Sequence, residues 1–245
     1  MVGAPALSTS QERAHSSAAH EGVRPPIVAS AAAGVALEGE RKTVTALFAD
    51  IKGSTELEQN LDPEEARAII DPALKIMIDA ARRYDGYVQS TGDGIFALFG
   101  APIAHEDHPQ RALHAALRMQ QEIHRYGDWL LQNGGAPIEI RVGVNTGEVV
   151  MRPLRTGESN TEYAPIGLTT NLASRMQAVA RSGSVVVSEA TRKLVEGYFQ
   201  VKSIGPTRVK GVSEPVQVYE VSGLGPLRTR LQRAPCESYG QCAHA

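Results

Sequence analysis

An apolar strand that ends on a carboxylate, then turns through glycine into a helix, leaves a chain few folds to choose from. Here Val44, Ala46 and Phe48 lead to Asp50, and Ile51-Lys52-Gly53-Ser54-Thr55 makes the turn. A second aspartate, Asp93, sits in Ser90-Thr91-Gly92-Asp93-Gly94-Ile95-Phe96-Ala97, a Gly-Asp-Gly turn between two apolar strands. Strand-end carboxylates on small-residue turns can share divalent cations, and turn amides can hold phosphate. Such a pair is the working part of a two-metal site for nucleotidyl transfer. Aspartate also caps turns for purely structural reasons, and Asp-Gly marks many hairpins. The two aspartates together, with the motifs downstream, favour the metal over the turn.

The rest of the chain alternates between strand and helix periods. Residues 42–50 read as a strand. Asp62 is placed to cap a helix that opens on Pro63, with Glu65 closing a capping box. Ala66, Ile69, Ile70, Ala73, Leu74, Met77 and Ile78 then follow a 3.6 period. Pro72 predicts a kink, and Gly86 a left-handed stop. Residues 87–91 and 95–100 form a hairpin, and a long helix runs from about Pro109 to Asn133 behind Asp107. Ile138, Ile140, Val142 and Val144 alternate into Asn145-Thr146-Gly147. A polar loop is expected over 152–162, a helix over 168–181, a strand over 184–187, a short helix over 188–195, and strands near 198–204 and 215–221. That order predicts an α+β fold: a ferredoxin-like βαββαβ-type sheet, antiparallel or mixed, with helices on one face.

Residues 1–38 and 223–245 lack this periodicity and are rich in Ala, Pro, Ser and Gly or in polar residues, so they read as a disordered leader and a flexible tail around a body of 39–222. A formal net charge of -2 argues against a bulk nucleic-acid or anionic-membrane binder. No apolar run approaches 18 residues and no basic segment precedes an apolar core at the start, so neither a membrane span nor a signal peptide is expected. Cys236 and Cys242 lie in the polar tail and make neither a disulfide framework nor a zinc site, which leaves a reducing cytoplasm as the expected setting.

Phe48-Ala49-Asp50-Ile51-x-Gly53-Ser54-Thr55, Gly92-Asp93-Gly94, Gly143-Val144-x-Thr146-Gly147 and Asn171-Leu172-Ala173-Ser174-Arg175 together resemble the class III adenylate/guanylate cyclase catalytic domain, of the bacterial soluble type, across about 42–221. The resemblance implies the class III cyclase fold and an adenylate cyclase, converting ATP to 3′,5′-cyclic AMP and pyrophosphate. It implies a homodimer with sites between subunits, and two Mg²⁺ or Mn²⁺ ions per site on Asp50, Asp93 and the Ile51 carbonyl. Gly53, Ser54, Thr55 and Lys210 would face the nucleoside triphosphate's phosphates. Asn171 would orient the ribose and Arg175 stabilise the α-phosphoryl transition state. Four apart on a helix, those two share a face, as they also would on an ordinary solvated helix. Lys210 suits a solvated turn equally well.

The chain departs from the family at the base. Usual adenylate cyclases of the family carry a lysine four residues before the second metal aspartate, and an aspartate, threonine or serine seven before the asparagine; here these are Gln89 and Ala164. Glutamine can donate or accept toward a purine edge, and alanine can do neither. A guanylate or mixed-purine cyclase, or a catalytically weak nucleotide-sensing or dimerisation module, therefore stands beside the adenylate cyclase. His105-Glu106-Asp107-His108 precedes a helix without a second ligand pair at zinc spacing and reads as structural, and His114 and His124 carry no functional claim.

Overall fold

The computed structural model describes residues 39–155, 161–209 and 212–227. The expected leader 1–38, Lys210 and most of the tail lie outside these residues.

Strand β1 (Glu40–Ile51) is apolar on both sides, with Leu47, Ala49 and Ile51 on one face and Val44 and Ala46 on the other, all buried. Only a central strand covered on two sides can bury such a run. It pairs antiparallel with β3 (Gly94–Phe99) on one edge and β4 (Ile140–Arg155) on the other. The hairpin partner β2 (Tyr87–Ser90) lies outside β3. Beyond β4 come β6 (Val185–Ser188), β8 (Val216–Leu224) and β7 (Phe199–Thr207). Among the described residues the sheet order is β2-β3-β1-β4-β6-β8-β7, and the β4–β6 pairing is parallel, so the sheet is mixed. Strand β8 runs to Leu224, past the 222 limit expected for the body.

Helices α2 (Pro63–Arg82) and α3 (His108–Gln132) cover one face. Their buried stripes (Ile70, Ala73 and Met77; Leu113, Met119 and Ile123) pack on Leu47, Ile51, Ile95, Ile140 and Val142. Each fully buried large aliphatic side chain contributes about 1.5–3 kcal/mol relative to exposure. Helix α5 (Glu189–Leu194) joins the same side: the Thr191 hydroxyl donates to Thr146 Oγ1 at 3.1 Å.

The expectation of helices on one face fails for α4 (Leu168–Val179). Its Ala173 packs with Val44, Ala46 and Val149, and its Met176 with Val186 and Val218, all on the opposite face. Gly143 makes that docking possible: a Cβ there would lie 1.9 Å from Gln177 N and 2.5 Å from Ala173 O. The helix rests on bare strand backbone.

Local expectations fail where tertiary partners intervene. Asp62 precedes α2 without forming a side-chain cap, and the helix runs unbroken through Pro72. Asp107 likewise forms no cap; its carboxylate takes the Arg111 Nε hydrogen bond at 2.7 Å instead. The left-handed residue after α2 is Asp85 (φ 61) rather than Gly86. Gly86 answers to space, since a Cβ would sit 2.9 Å from the Phe99 ring and from Ala81 O. Of the polar loop expected over 152–162, residues 152–155 and 161–162 are strand, the far end of β4 paired with β5 (Thr161–Ile166), and residues 156–160 lie outside the described residues. His108 is buried, with Nδ1 2.8 Å from the Thr45 hydroxyl, and burial pushes its pKa down. His114 packs between Tyr84 and Phe199. Among the described residues no helix is long and apolar enough to cross a membrane.

Candidate active site

Asp50 stands one residue from the end of β1. The antiparallel register sets it opposite Gly94 on β3 and opposite Arg141 on β4. Asp93 precedes Gly94, and the Ile51 amide donates to the Asp93 carbonyl at 3.3 Å, so the two acid-bearing turns are fastened to each other. Each glycine of Gly92-Asp93-Gly94 has its own reason. Gly92 has φ 96, a backbone that side chains avoid. A Cβ at Gly94 would lie 2.4 Å from Ala49 O and 3.2 Å from Asp50 Cα. The Gly-Asp-Gly turn can thus press against the end of β1 and deliver Asp93 beside Asp50.

Both carboxylates are half-buried. Burial pushes the Asp50 carboxyl above its ordinary value, the Asp93 charge pushes it further, and the Arg141 guanidinium opposes both. Two facing carboxylates at a cost in charge are a donor set that a hard divalent cation relieves. Among the described residues no cluster of three or more His, Cys, Asp or Glu side chains could hold a metal ion. A two-carboxylate set suits Mg²⁺ or Mn²⁺, which complete their shells with water and substrate phosphate oxygens. The residues fit the ions that the resemblance implies.

The turn after β1 supports this pair. Gly53, in left-handed backbone with φ 79, precedes helix α1 (Ser54–Asn60). Ser54 is buried, and its hydroxyl donates to Asp93 Oδ2. Its contact is therefore with the second carboxylate, whereas Thr55 on the next position is exposed.

Two side chains at this site escaped the sequence reading. Arg141 Nη2 donates to Asp50 Oδ2 at 2.8 Å, and Gln177 Nε2 to the same oxygen at 3.2 Å. The available signal for Arg141 was a lone charge between Ile140 and Val142 in an apolar strand. Gln177 had none, because a glutamine on an amphipathic helix is ordinary.

The remaining candidates lie elsewhere. Asn171 and Arg175 are exposed on α4, and no hydrogen bond joins either to Asp50 or Asp93. Beside them Ile166 is 54% and Leu168 80% exposed, an apolar rim at the start of the helix. Gln89 sits half-exposed on β2 opposite Phe96, whose ring lies 4.9 Å from that of Phe48. Ala164 is on β5 opposite Arg152. Lys210 falls outside the described residues.

A family model for the adenylate and guanylate cyclase catalytic domain matches residues 38–223. Adenylate cyclase 1 of Rhizobium meliloti is 28% identical over 187 residues, covering 75% of this chain and 28% of that protein. The structure of the adenylyl cyclase CyaB from P. aeruginosa matches with a TM-score of 0.70 at 31% identity, over 76% of this chain and 96% of that one. The guanylate cyclase domain of RhGC from Catenaria anguillulae, solved in complex with GTP, matches with a TM-score of 0.67 at 27% identity, over 76% and 99%. The chain spans from 18% to 37% of the length of the first curated relatives it matches.

Proposed function

The chain belongs to the family of adenylate and guanylate cyclase catalytic domains, and from that premise we propose that it converts ATP to 3′,5′-cyclic AMP and pyrophosphate at sites shared by two copies of itself. The observation that carries this reading is the pairing of Asp50 with Asp93 on adjoining turns, with the Asp50 carboxyl pushed up by burial and by its neighbour's charge. Asp50 and Asp93, with the Ile51 carbonyl, would hold two Mg²⁺ or Mn²⁺ ions, which when bound acidify the ribose 3′-hydroxyl and offset triphosphate charge. The 3′-oxygen gives up its proton to solvent water and bonds to the α-phosphorus. The bond from that phosphorus to the bridging oxygen breaks, and pyrophosphate leaves. Arg141, beside Asp50, would offer a guanidinium to the phosphates, and Gly53, Ser54, Thr55 and Lys210 would face them as well. Asn171 holds the ribose, and Arg175 meets charge developing on the α-phosphoryl oxygens. A cytoplasmic setting belongs to the same proposal, on the reading of Cys236 and Cys242 as reduced thiols. Incubating the purified chain with Mn²⁺ and either ATP or GTP, and identifying the product, tests the reaction; no cyclic nucleotide from either would overturn it.

The exposed Asn171 and Arg175, with the apolar rim of Ile166 and Leu168, support the second copy. If Asp50 and Arg175 act on one nucleotide from different chains, Asp50→Ala and Arg175→Ala homodimers are both inactive. Mixing them restores one intact site per heterodimer. Activity that stays absent once heterodimers are verified by mass would argue against sites shared between chains.

Gln89 favours a relaxed choice of purine, because its amide can serve adenine or guanine by rotating. Discrimination between ATP and GTP is expected at about 1–3 kcal/mol, the range of modest pocket differences. The double change Gln89→Lys with Ala164→Asp is expected to sharpen ATP preference, read as kcat/KM for both nucleotides. A starting protein that rejects GTP by ~10⁴ would move base recognition to other residues.

A further inference from the structure

Helix α4 carries a polar side chain in a second direction from Asn171 and Arg175. Gln177 faces its own chain's sheet, and its amide reaches Asp50. The approach is dictated by backbone packing, since Gly143 lies against Gln177 N with no room for a Cβ. Gly143 is two residues along β4 from Arg141, the register partner of Asp50. A helix seated on Gly143 therefore brings its Gln177 side chain over the end of β1. Arg141 and Gln177 both donate to Oδ2, and no nitrogen or hydroxyl donor among the described residues meets Oδ1. One oxygen of the carboxylate is clamped and the other is left for an ion. A neutral amide serves here where a carboxylate would add a third negative charge beside Asp50 and Asp93.

We propose that Gln177 is a positioning residue for Asp50, holding its carboxylate in the orientation that accepts a divalent ion. The inference rests on the reading of Asp50 as a metal-holding residue. It makes α4 a shared support: one side chain of the helix sets the carboxylate of its own chain, and the exposed pair on the same helix faces outward. A small displacement of α4 then disturbs the metal site and the Asn171–Arg175 pair together.

The full chain is titrated calorimetrically with MnCl₂ alone, as wild type, Gln177→Met, Gln177→Asn and Asp50→Asn. Methionine keeps the length of glutamine without the donor, and asparagine keeps the amide one methylene short. Both are expected to weaken Mn²⁺ binding by about tenfold, as loss of a partner that orients a ligand does. Melting temperature should stay near wild type, which a merely structural role would not allow. Asp50→Asn should show no binding at its site. Wild-type Mn²⁺ affinity in both Gln177 variants, with binding lost in Asp50→Asn, would overturn the inference and leave the metal site standing. Wild-type affinity in Asp50→Asn as well would remove the metal reading and this inference with it.

Discussion

Asp50→Asn and Asp93→Asn are each expected to abolish cyclic nucleotide production while the chain stays folded. Each aspartate would supply negative charge to shared cations, and an amide of the same shape cannot. A bound metal contributes several kcal/mol to the transition state, so activity should fall by roughly 10³-fold or more. The fold should survive because the bonds that hold these turns are largely independent of the carboxylates. The Ile51 amide bonds the Asp93 carbonyl, and Gly94 packs on the Asp50 backbone whatever the side chain. Stability gives an independent readout. The folded chain raises the Asp50 pKa above its ordinary 3.8, mainly through burial. A raised acid favours the folded state fully below the ordinary value, and that contribution is lost as pH rises through the raised one. At neutral pH the metal-free wild type therefore carries a charged, partly desolvated Asp50, which Asp50→Asn relieves. Metal-free Asp50→Asn should melt at or above wild type at pH 7, with the difference closing in acid. Cyclase activity near wild type in either variant would sink the two-carboxylate site.

Gly143→Ala is the second change of large expected effect, and it acts through the backbone. The added methyl would lie 1.9 Å from Gln177 N and 2.5 Å from Ala173 O. No side-chain rotation relieves a clash with helix backbone, so α4 has to lift from β4. Overpacking of this kind costs about 3 kcal/mol, and a chain of this size loses roughly 2–4 °C in Tm per kcal/mol. A Tm drop of roughly 6–12 °C is expected, with activity falling further than stability explains. Lifting α4 moves Gln177 off Asp50 and displaces Asn171 and Arg175 in one step. Thermal melting and a cyclase assay below the transition separate the two losses. An unchanged melt would show that α4 does not bear on the strand at Gly143.

Much of this could be read from the chain because the signals were local. The apolar run of β1, the 3.6 period of α2 and the Gly-Asp-Gly turn each depend on residues close in sequence. The hydrophobic pattern alone settles such elements. Caps behaved differently: Asp62 and Asp107 were placed correctly at helix starts, but Asp107 gave its carboxylate to Arg111 instead of the helix amides. The β4–β5 ribbon and the side on which α4 packs were not legible. The polar and proline-containing stretch from Arg152 carries no apolar period to mark a strand, and an amphipathic helix does not say which face of a sheet it will cover.

The site divides along the same line. Asp50 and Asp93 were visible because each sits next to an apolar strand at its own glycine turn. Arg141 and Gln177 reach Asp50 across 91 and 127 residues of chain. Their roles come from strand register and from the seat of α4 on Gly143, neither of which any stretch of sequence encodes by itself. The sequence by itself determined most of the elements, the two acids and the glycines that bend the chain around them. Only the tertiary structure decided which cation and which amide would meet those acids. The physical reason is that the energy of such a contact depends on backbone placements set by many distant residues at once.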